Sequence, residues 1–144
     1  MKKKRRKKKR KHRVAVLILT AVFVIISFNA IVFGLQTAYP KSYSDIVEAN
    51  ASEYGLDSDL LYALIETESG FNKDAVSNVG AMGLTQILPE TFQWLQTKTG
   101  ETLPDNALFE PEVSVKYGAY LLRYLIDEFG DVSTAIAAYH AGIT

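Results

Sequence analysis

An uninterrupted run of uncharged residues near the N-terminus constrains this chain more than any other feature. No charged residue lies between Arg13 and Lys41, and 18 of the 22 residues over 14–35 are Ala, Val, Ile, Leu or Phe. As a helix this run is about 33 Å long, enough to cross the hydrocarbon core of a bilayer. A helix packed on a globular core would carry a polar face, and this run has none. The sequence therefore predicts a transmembrane helix over residues 14–35.

A cleaved signal peptide is the alternative interpretation of the same run. The apolar region of a signal peptide is about 7–15 residues long and leads to a cleavage site between small residues. The run here is longer, and the triplets 28–30 and 36–38 carry Phe and Gln at the −3 position, where a small residue is needed. The pattern favours an uncleaved anchor over a signal peptide.

The charges are divided between the two sides of this run. Residues 2–13 hold eleven of the sixteen Lys and Arg, whereas every Asp and Glu lies at or after Asp45. From residue 14 onward, five basic residues stand against sixteen acidic ones, a balance of −11. Basic residues that flank a span stay in the cytoplasm, so residues 1–13 are predicted to form a cytoplasmic tail. A linker over 36–43 and an extracytoplasmic domain over 44–144 complete the predicted order.

The composition argues against several classes of site. No aromatic residue is interleaved with the basic tail, whose charge suits topology and attraction to anionic lipid headgroups. The chain has no Cys, and its two histidines, His12 and His140, fall on opposite sides of the predicted span. The glycines of residues 80–83 are not followed by the Gly-Lys-Ser or Gly-Lys-Thr of a phosphate loop. We therefore expect no nucleic-acid partner, no metal site and no cofactor.

Helical periodicity dominates the part of the chain after the predicted linker, and no alternating strand pattern bounded by hairpin turns appears. Helix starts are indicated by capping residues and prolines, and helix ends by glycines. The predicted helices are, in chain order, Ser44–Tyr54 capped by Ser44, Asp59–Ser69 capped by Asp57 or Ser58, a short helix from Pro89, Pro111–Phe129, and one from Asp131 or Ser133 to about Ala141. The fold class is therefore predicted to be mainly α.

The helix over 59–69 places two glutamates in different surroundings. At about 100° per residue from Leu61, Glu68 falls at about 340°, within the apolar arc, and Glu66 at about 140°, on the opposite side. Partial burial disfavours the charged form and raises the pKa of Glu68, whereas Glu66 is expected to be solvated. A carboxyl group that keeps its proton near neutral pH can act as a general acid. The geometry alone equally allows Glu68 to point into water at the end of the helix.

Three motifs around and after Glu68 make the chain resemble the lytic transglycosylase SLT-domain family, of lysozyme-like α+β fold. They are E-S-G-F over 68–71, S-x-x-G-A-x-G-L-x-Q-I-x-P over 77–89, and A-Y-x-A-G over 138–142. An E-S pair alone carries no information, but the three motifs in this order and spacing are specific. The resemblance spans roughly Tyr43 to Gly142, almost all of the predicted extracytoplasmic domain.

This resemblance implies a lyase that cleaves the β-1,4 bond between N-acetylmuramic acid and N-acetylglucosamine in peptidoglycan. It implies that Glu68 is the single catalytic acid and base. Glu68 would protonate the departing oxygen and then accept the proton of the muramic acid 6-hydroxyl as that group attacks C1. The residues implied to contact the glycan strand or line its groove are Ser77, Gln86, Leu88, Tyr139 and His140, with Tyr139 also orienting the carboxylate.

Several positions depart from the family's usual pattern. His140 stands where the family usually has Asn, and a histidine can donate and accept hydrogen bonds as an amide does but also takes up a proton near neutral pH. Thr85 stands where Met is common, and Ser114 where Asn is often found. Because only two residues follow Gly142, the resemblance also implies that the C-terminal end of the domain is incomplete.

Two other functions stay open on the sequence. A non-catalytic relative would bind peptidoglycan as a scaffold without turning it over. A lysozyme-type muramidase would cut the same bond with water and release reducing ends. The presence of Glu68, Gln86 and Tyr139 together favours the lytic transglycosylase.

Overall fold

The computed structural model describes residues 16–31 and 42–142. The chain divides into two compact units, Met1–Lys41 and Ser42–Thr144. In the first unit, residues 16–31 form helix α1, whose apolar side chains are mostly exposed. No helix in the two described ranges is both long and apolar enough to cross a membrane. The ends of the predicted span, the predicted basic tail and residues 36–41 of the predicted linker lie outside these ranges.

The second unit is built from helices, which confirms the predicted mainly α class. Residues 42–142 contain, as β structure, only the isolated bridges Val76–Met82 and Met82–Ile87, both in the loop before α4. The helices, in chain order, are α2 (Ser44–Glu53), α3 (Ser58–Ser69), α4 (Pro89–Thr99), a 3-10 helix (Asp105–Phe109), α5 (Pro111–Phe129) and α6 (Val132–Ala141). The 3-10 helix falls in a stretch where the sequence predicted no element.

Capping side chains set the starts of α3 and α6 at Asp57 and Asp131, in each case one of the two positions that the sequence left open. The Asp57 carboxylate accepts from the backbone N–H of Asp59 at 2.8 Å, and the Asp131 carboxylate accepts from that of Thr134 at 2.7 Å. The predicted cap at Ser44 is wrong. Tyr43 takes the capping position with φ 59°, and its carbonyl accepts from Val47 at 2.9 Å, so Ser44 already lies inside the first turn.

The core forms around α5, which packs against α2, α4 and α6. Tyr117 of α5 is fully buried and meets the ring of Phe92 edge to face, with the ring centroids 4.6 Å apart. Leu121 and Leu125 continue the same buried stripe. Each such side chain contributes about 1.5–3 kcal/mol by leaving water.

The loop between α3 and α4 lies directly on α5 at one close contact. Thr85 Oγ1 donates to the Ser114 carbonyl at 2.8 Å, and the backbone N–H of Thr85 donates to Ser114 Oγ at 3.2 Å. A Cβ atom at Gly118 would lie 2.4 Å from Thr85 Cγ2, so glycine is needed there for the approach. The loop that carries the second motif is thus held on the central helix.

Candidate active site

All the residues that the sequence singled out for the site line one cavity of about 240 Å³. α3 supplies the acidic group, the loop before α4 supplies three residues, and the end of α6 closes the other side. The six are Glu68, Ser77, Gln86, Leu88, Tyr139 and His140. Side chains that are 72 positions apart along the chain (68 to 140) therefore meet at one place.

Glu68 is partly buried on the cavity wall, which is one of the two placements that the helical spacing allowed, and Glu66 is exposed, as expected. The Glu68 side chain is 14% exposed, and its Oε1 atom is buried without a hydrogen bond to any described residue. Burial raises the pKa of the Glu68 carboxyl above its usual value, and the neighbouring His140 acts in the opposite direction. The site thus holds a carboxyl group that resists losing its proton.

The last turn of α3 is held in place by Ser69. Its Oγ lies 2.8 Å from the carbonyl oxygen of Leu84 and 3.2 Å from that of Ile65, so the hydroxyl bridges the helix end to the loop. Gly70 then ends the helix with φ 57°. Ser69 stands in the first motif, but its position there does not predict this role. Its bridge fixes the turn that carries Glu68.

The loop that forms the second wall is closed by Ser77. Its N–H donates to the Ala81 carbonyl at 2.9 Å, and its Oγ accepts from the Ala81 N–H at 3.0 Å. This pairing brings Val79 to the mouth of the cavity with 78% of its surface exposed. Sequence reasoning missed Val79, because an apolar residue in the variable part of a motif gives no signal by itself.

The amide nitrogen of Gln86 holds the loop together by hydrogen bonds to its backbone. Its Nε2 donates to the carbonyl oxygens of Ala75 at 3.1 Å and Gly83 at 2.9 Å, and its backbone has φ 50°. Within the described residues its Oε1 makes no hydrogen bond, so this oxygen is the group that can accept one from a ligand. Left-handed backbone at a residue other than glycine is costly and occurs preferentially at functional sites.

Tyr139 and Leu88 form the apolar parts of the wall. The Tyr139 hydroxyl donates to the Thr85 carbonyl at 2.8 Å, so its proton is not donated to Glu68. Burial is the main cause that raises the pKa of Tyr139, which keeps the ring uncharged. Leu88 precedes the first turn of α4 and is half-buried. Thr91 and Leu121 also line the cavity.

His140 lies against the acid itself. Its Nδ1 is 3.0 Å from Glu68 Oε1, within ion-pair distance, and 44% of its side chain is exposed. The contact does not have the alignment of a hydrogen bond, since Oε1 has no such partner. The resemblance implied a substrate contact for His140, and the structure adds a direct neighbour that the sequence did not predict.

Glu68 is the only carboxylate among the described residues that line the cavity. Asp74, Glu66 and Glu90 are exposed and belong to other surfaces. Glycosidases that use a carboxylate as nucleophile or to activate water place two carboxyl groups on either side of the bond. A cavity with a single carboxyl group instead suits chemistry in which that group serves first as acid and then as base.

The free energy of unfolding should respond to pH through Glu68. Burial raises the pKa of the Glu68 carboxyl in the folded chain above its unfolded value of 4.5. The stability that the protonated carboxyl contributes is therefore fully present below pH 4.5 and is lost as the pH rises through the raised pKa. We expect Glu68→Gln to become more stable relative to the unchanged chain between these two pH values. Urea unfolding at pH 4 and pH 7, followed by fluorescence of Trp94, measures the difference. A difference that is the same at both pH values, or that Glu66→Gln reproduces, contradicts the expectation.

Comparison with known proteins places residues 45–144 under the family model of the transglycosylase SLT domain. A transglycosylase of Enterobacteria phage PRD1 is 41% identical over 98 residues, covering 68% of this chain and 34% of the relative. A membrane-bound lytic murein transglycosylase C of Actinobacillus pleuropneumoniae is 32% identical over 113 residues, covering 71% and 31%.

A solved structure, an inactive glutamate-to-glutamine mutant of lytic transglycosylase Slt from Pseudomonas aeruginosa, superimposes with a TM-score of 0.71. It is 34% identical to this chain and covers 75% of it, while 18% of the solved chain is matched. The chain thus spans about a third of the length of the two relatives, 34% and 31%, and less of the solved protein.

Proposed function

This chain belongs to the transglycosylase SLT domain family, and from that premise we propose that its domain is a peptidoglycan lytic transglycosylase. The observation that carries the proposal is the half-buried Glu68 in a cavity lined by no second carboxylate among the described residues. One carboxyl group suffices when the attacking nucleophile belongs to the substrate. The same cavity is what a non-catalytic relative would keep, so turnover is the property to test.

The proposed reaction uses Glu68 twice. Its carboxyl proton passes to the oxygen that leaves C1 of N-acetylmuramic acid, and the bond between them breaks. The carboxylate then takes the proton of the 6-hydroxyl of the same sugar as that oxygen bonds to C1. The product is a 1,6-anhydro sugar, no water is consumed, and Glu68 recovers its proton. Attack from within the same sugar has the advantage of proximity.

Recognition of the glycan strand is assigned to the polar groups and walls of the cavity. Gln86 Oε1 and the Ser77 side chain offer hydrogen bonds to sugar hydroxyl or acetamido groups, and Leu88 and Tyr139 offer apolar surface. The balance of −11 after residue 14 does not favour capture of an acidic wall polymer by bulk charge. Short-range contacts around Glu68 therefore carry the specificity.

We also assign the enzyme to the bacterial cell membrane, anchored by a single pass over residues 14–35. The uncharged run and the eleven basic residues before it support an N-terminus in the cytoplasm and a domain on the cell-wall side. The membrane-bound relative from Actinobacillus pleuropneumoniae supports association with a membrane. Partners of the chain are then the lipid bilayer and the peptidoglycan strands beside it.

The products released from peptidoglycan distinguish the three candidate functions. We expect the purified full chain in detergent to release muropeptides that end in 1,6-anhydro-N-acetylmuramic acid, as measured by mass spectrometry. Products heavier by one water would identify a lysozyme-type muramidase. Sedimentation of the chain with peptidoglycan, without any released fragment, would identify a binding protein.

A further inference from the structure

The last turns of two helices meet at the candidate acid. Glu68 lies in the last turn of α3, and His140 lies in the last turn of α6. The distance from His140 Nδ1 to Glu68 Oε1 is 3.0 Å. The C-terminus of a helix carries partial negative charge, which stabilises a nearby cation and destabilises a nearby anion. A carboxylate formed at this point is therefore destabilised unless a positive charge lies beside it.

Among the described residues, His140 is the group at this point that can supply a positive charge. It borders the main cavity and a second one of about 130 Å³, and the titratable residues that line either are Glu68, Tyr139 and His140 itself. α5 packs along α6 and contributes Leu121 and Leu122 to these cavities, not a charged side chain. Arg123 of α5 is paired with Asp127.

We propose that His140 is a positioning residue of the reaction, whose imidazolium stabilises the carboxylate that Glu68 becomes after giving up its proton. The inference rests on the proposed function and concerns the same site. Because Oε1 is buried beside Nδ1, the oxygen that exchanges protons with the substrate is Oε2. The pairing differs from a substrate contact, because it acts on the acid and not on the sugar.

This arrangement favours the transition state over the bound substrate. Before the reaction Glu68 carries its proton and is neutral, so a nearby positive charge adds little. As the proton leaves, the carboxylate gains charge, and the attraction to His140 strengthens. An interaction that strengthens only on the way to the transition state raises kcat and leaves KM nearly unchanged.

His140→Asn tests the role, because Asn keeps hydrogen-bonding groups but cannot carry the charge. We expect kcat for anhydro-product release to fall roughly tenfold at its maximum, with KM changed less than about twofold. The alkaline limb of the pH–rate profile should move to higher pH, because the neighbour that lowers the pKa of Glu68 is gone. His140→Gln should behave in the same way, and His12→Asn should match the unchanged chain. Circular dichroism confirms that each variant is folded.

A second measurement does not depend on turnover. The carboxyl carbon of Glu68, identified by its loss in Glu68→Gln, is titrated by NMR in the full chain labelled with ¹³C-glutamate. We expect its midpoint to move to higher pH in His140→Asn. An unchanged midpoint, an unchanged kcat, or a raised KM with normal kcat overturns the role of His140. An unchanged chain that releases no anhydro product overturns the proposed function instead, so the two failures are separate.

Discussion

Glu68→Gln is expected to lower the rate of anhydro-product release by roughly 10²–10⁴-fold, the contribution typical of a positioned general acid. Gln keeps the size of the side chain and can accept a hydrogen bond, but it has no proton to deliver and cannot take one back. The described residues around the cavity offer no second carboxyl group to replace it. Release of anhydro muropeptides over time, quantified by mass spectrometry, measures the effect.

Glu66→Gln is the matched control for this change. Glu66 lies two positions earlier in α3, on the exposed side, and does not line the cavity. The same chemical change there should leave the rate within about twofold of the unchanged chain, as surface substitutions generally do. Glu68→Gln that keeps full activity, or equal loss in both variants, means that Glu68 is not the acid. Binding to peptidoglycan should persist in both variants, which separates the chemical step from recognition.

The side of α3 on which Glu68 lies could be predicted because it depends on local geometry. The angle between successive residues of a helix is fixed, so the apolar positions of Leu61, Leu64 and Ile65 show which side is buried. The same reasoning gave α5, whose observed bounds of Pro111 and Phe129 match the prediction from proline and glycine. Helical periodicity and end signals act within a few residues, which is why the sequence alone carries them.

The cap of α2 and the neighbour of Glu68 were beyond sequence reasoning for a common reason. Tyr43 has left-handed backbone at the start of α2, a conformation that a tyrosine in the sequence does not indicate. His140 approaches Glu68 because α3 and α6 end at the same point, and no spacing along the chain encodes this meeting. Such features follow from tertiary packing, so a pattern within one segment does not indicate them.

The two milder departures from the family's pattern, at Thr85 and Ser114, prove to be in contact. Their hydroxyl oxygens are 3.1 Å apart, and each residue is fully buried. Considered separately, each looked like an isolated polar substitution. In the fold they satisfy each other, since a buried hydroxyl without a partner would cost about 1–3 kcal/mol. Together they form the polar contact that holds the loop between α3 and α4 against α5.

Gly83→Ala is expected to lower the free energy of unfolding by roughly 2–5 kcal/mol, from left-handed backbone and overpacking together. Gly83 has φ +77°, and an added Cβ would lie 1.9 Å from the carbonyl oxygen of Leu108 and 2.8 Å from Ser114 Oγ. The first of these is a backbone atom of the segment before α5, so a side-chain rotation does not relieve the clash. Urea unfolding, followed by the fluorescence of Trp94, measures the loss.

Gly80→Ala separates the two causes within the same motif. Gly80 also has positive φ, +87°, but nothing lies within 4 Å of its added Cβ, so only the conformational cost of about 1–2 kcal/mol remains. Equal losses in the two variants would mean that the close approach to Leu108 contributes nothing. If the difference appears, the second motif keeps its Gly83 for packing. The carbonyl of Gly83 also accepts a hydrogen bond from Gln86 Nε2 at 2.9 Å. The packing of the loop at Gly83 therefore also sets the position of Gln86 in the cavity wall.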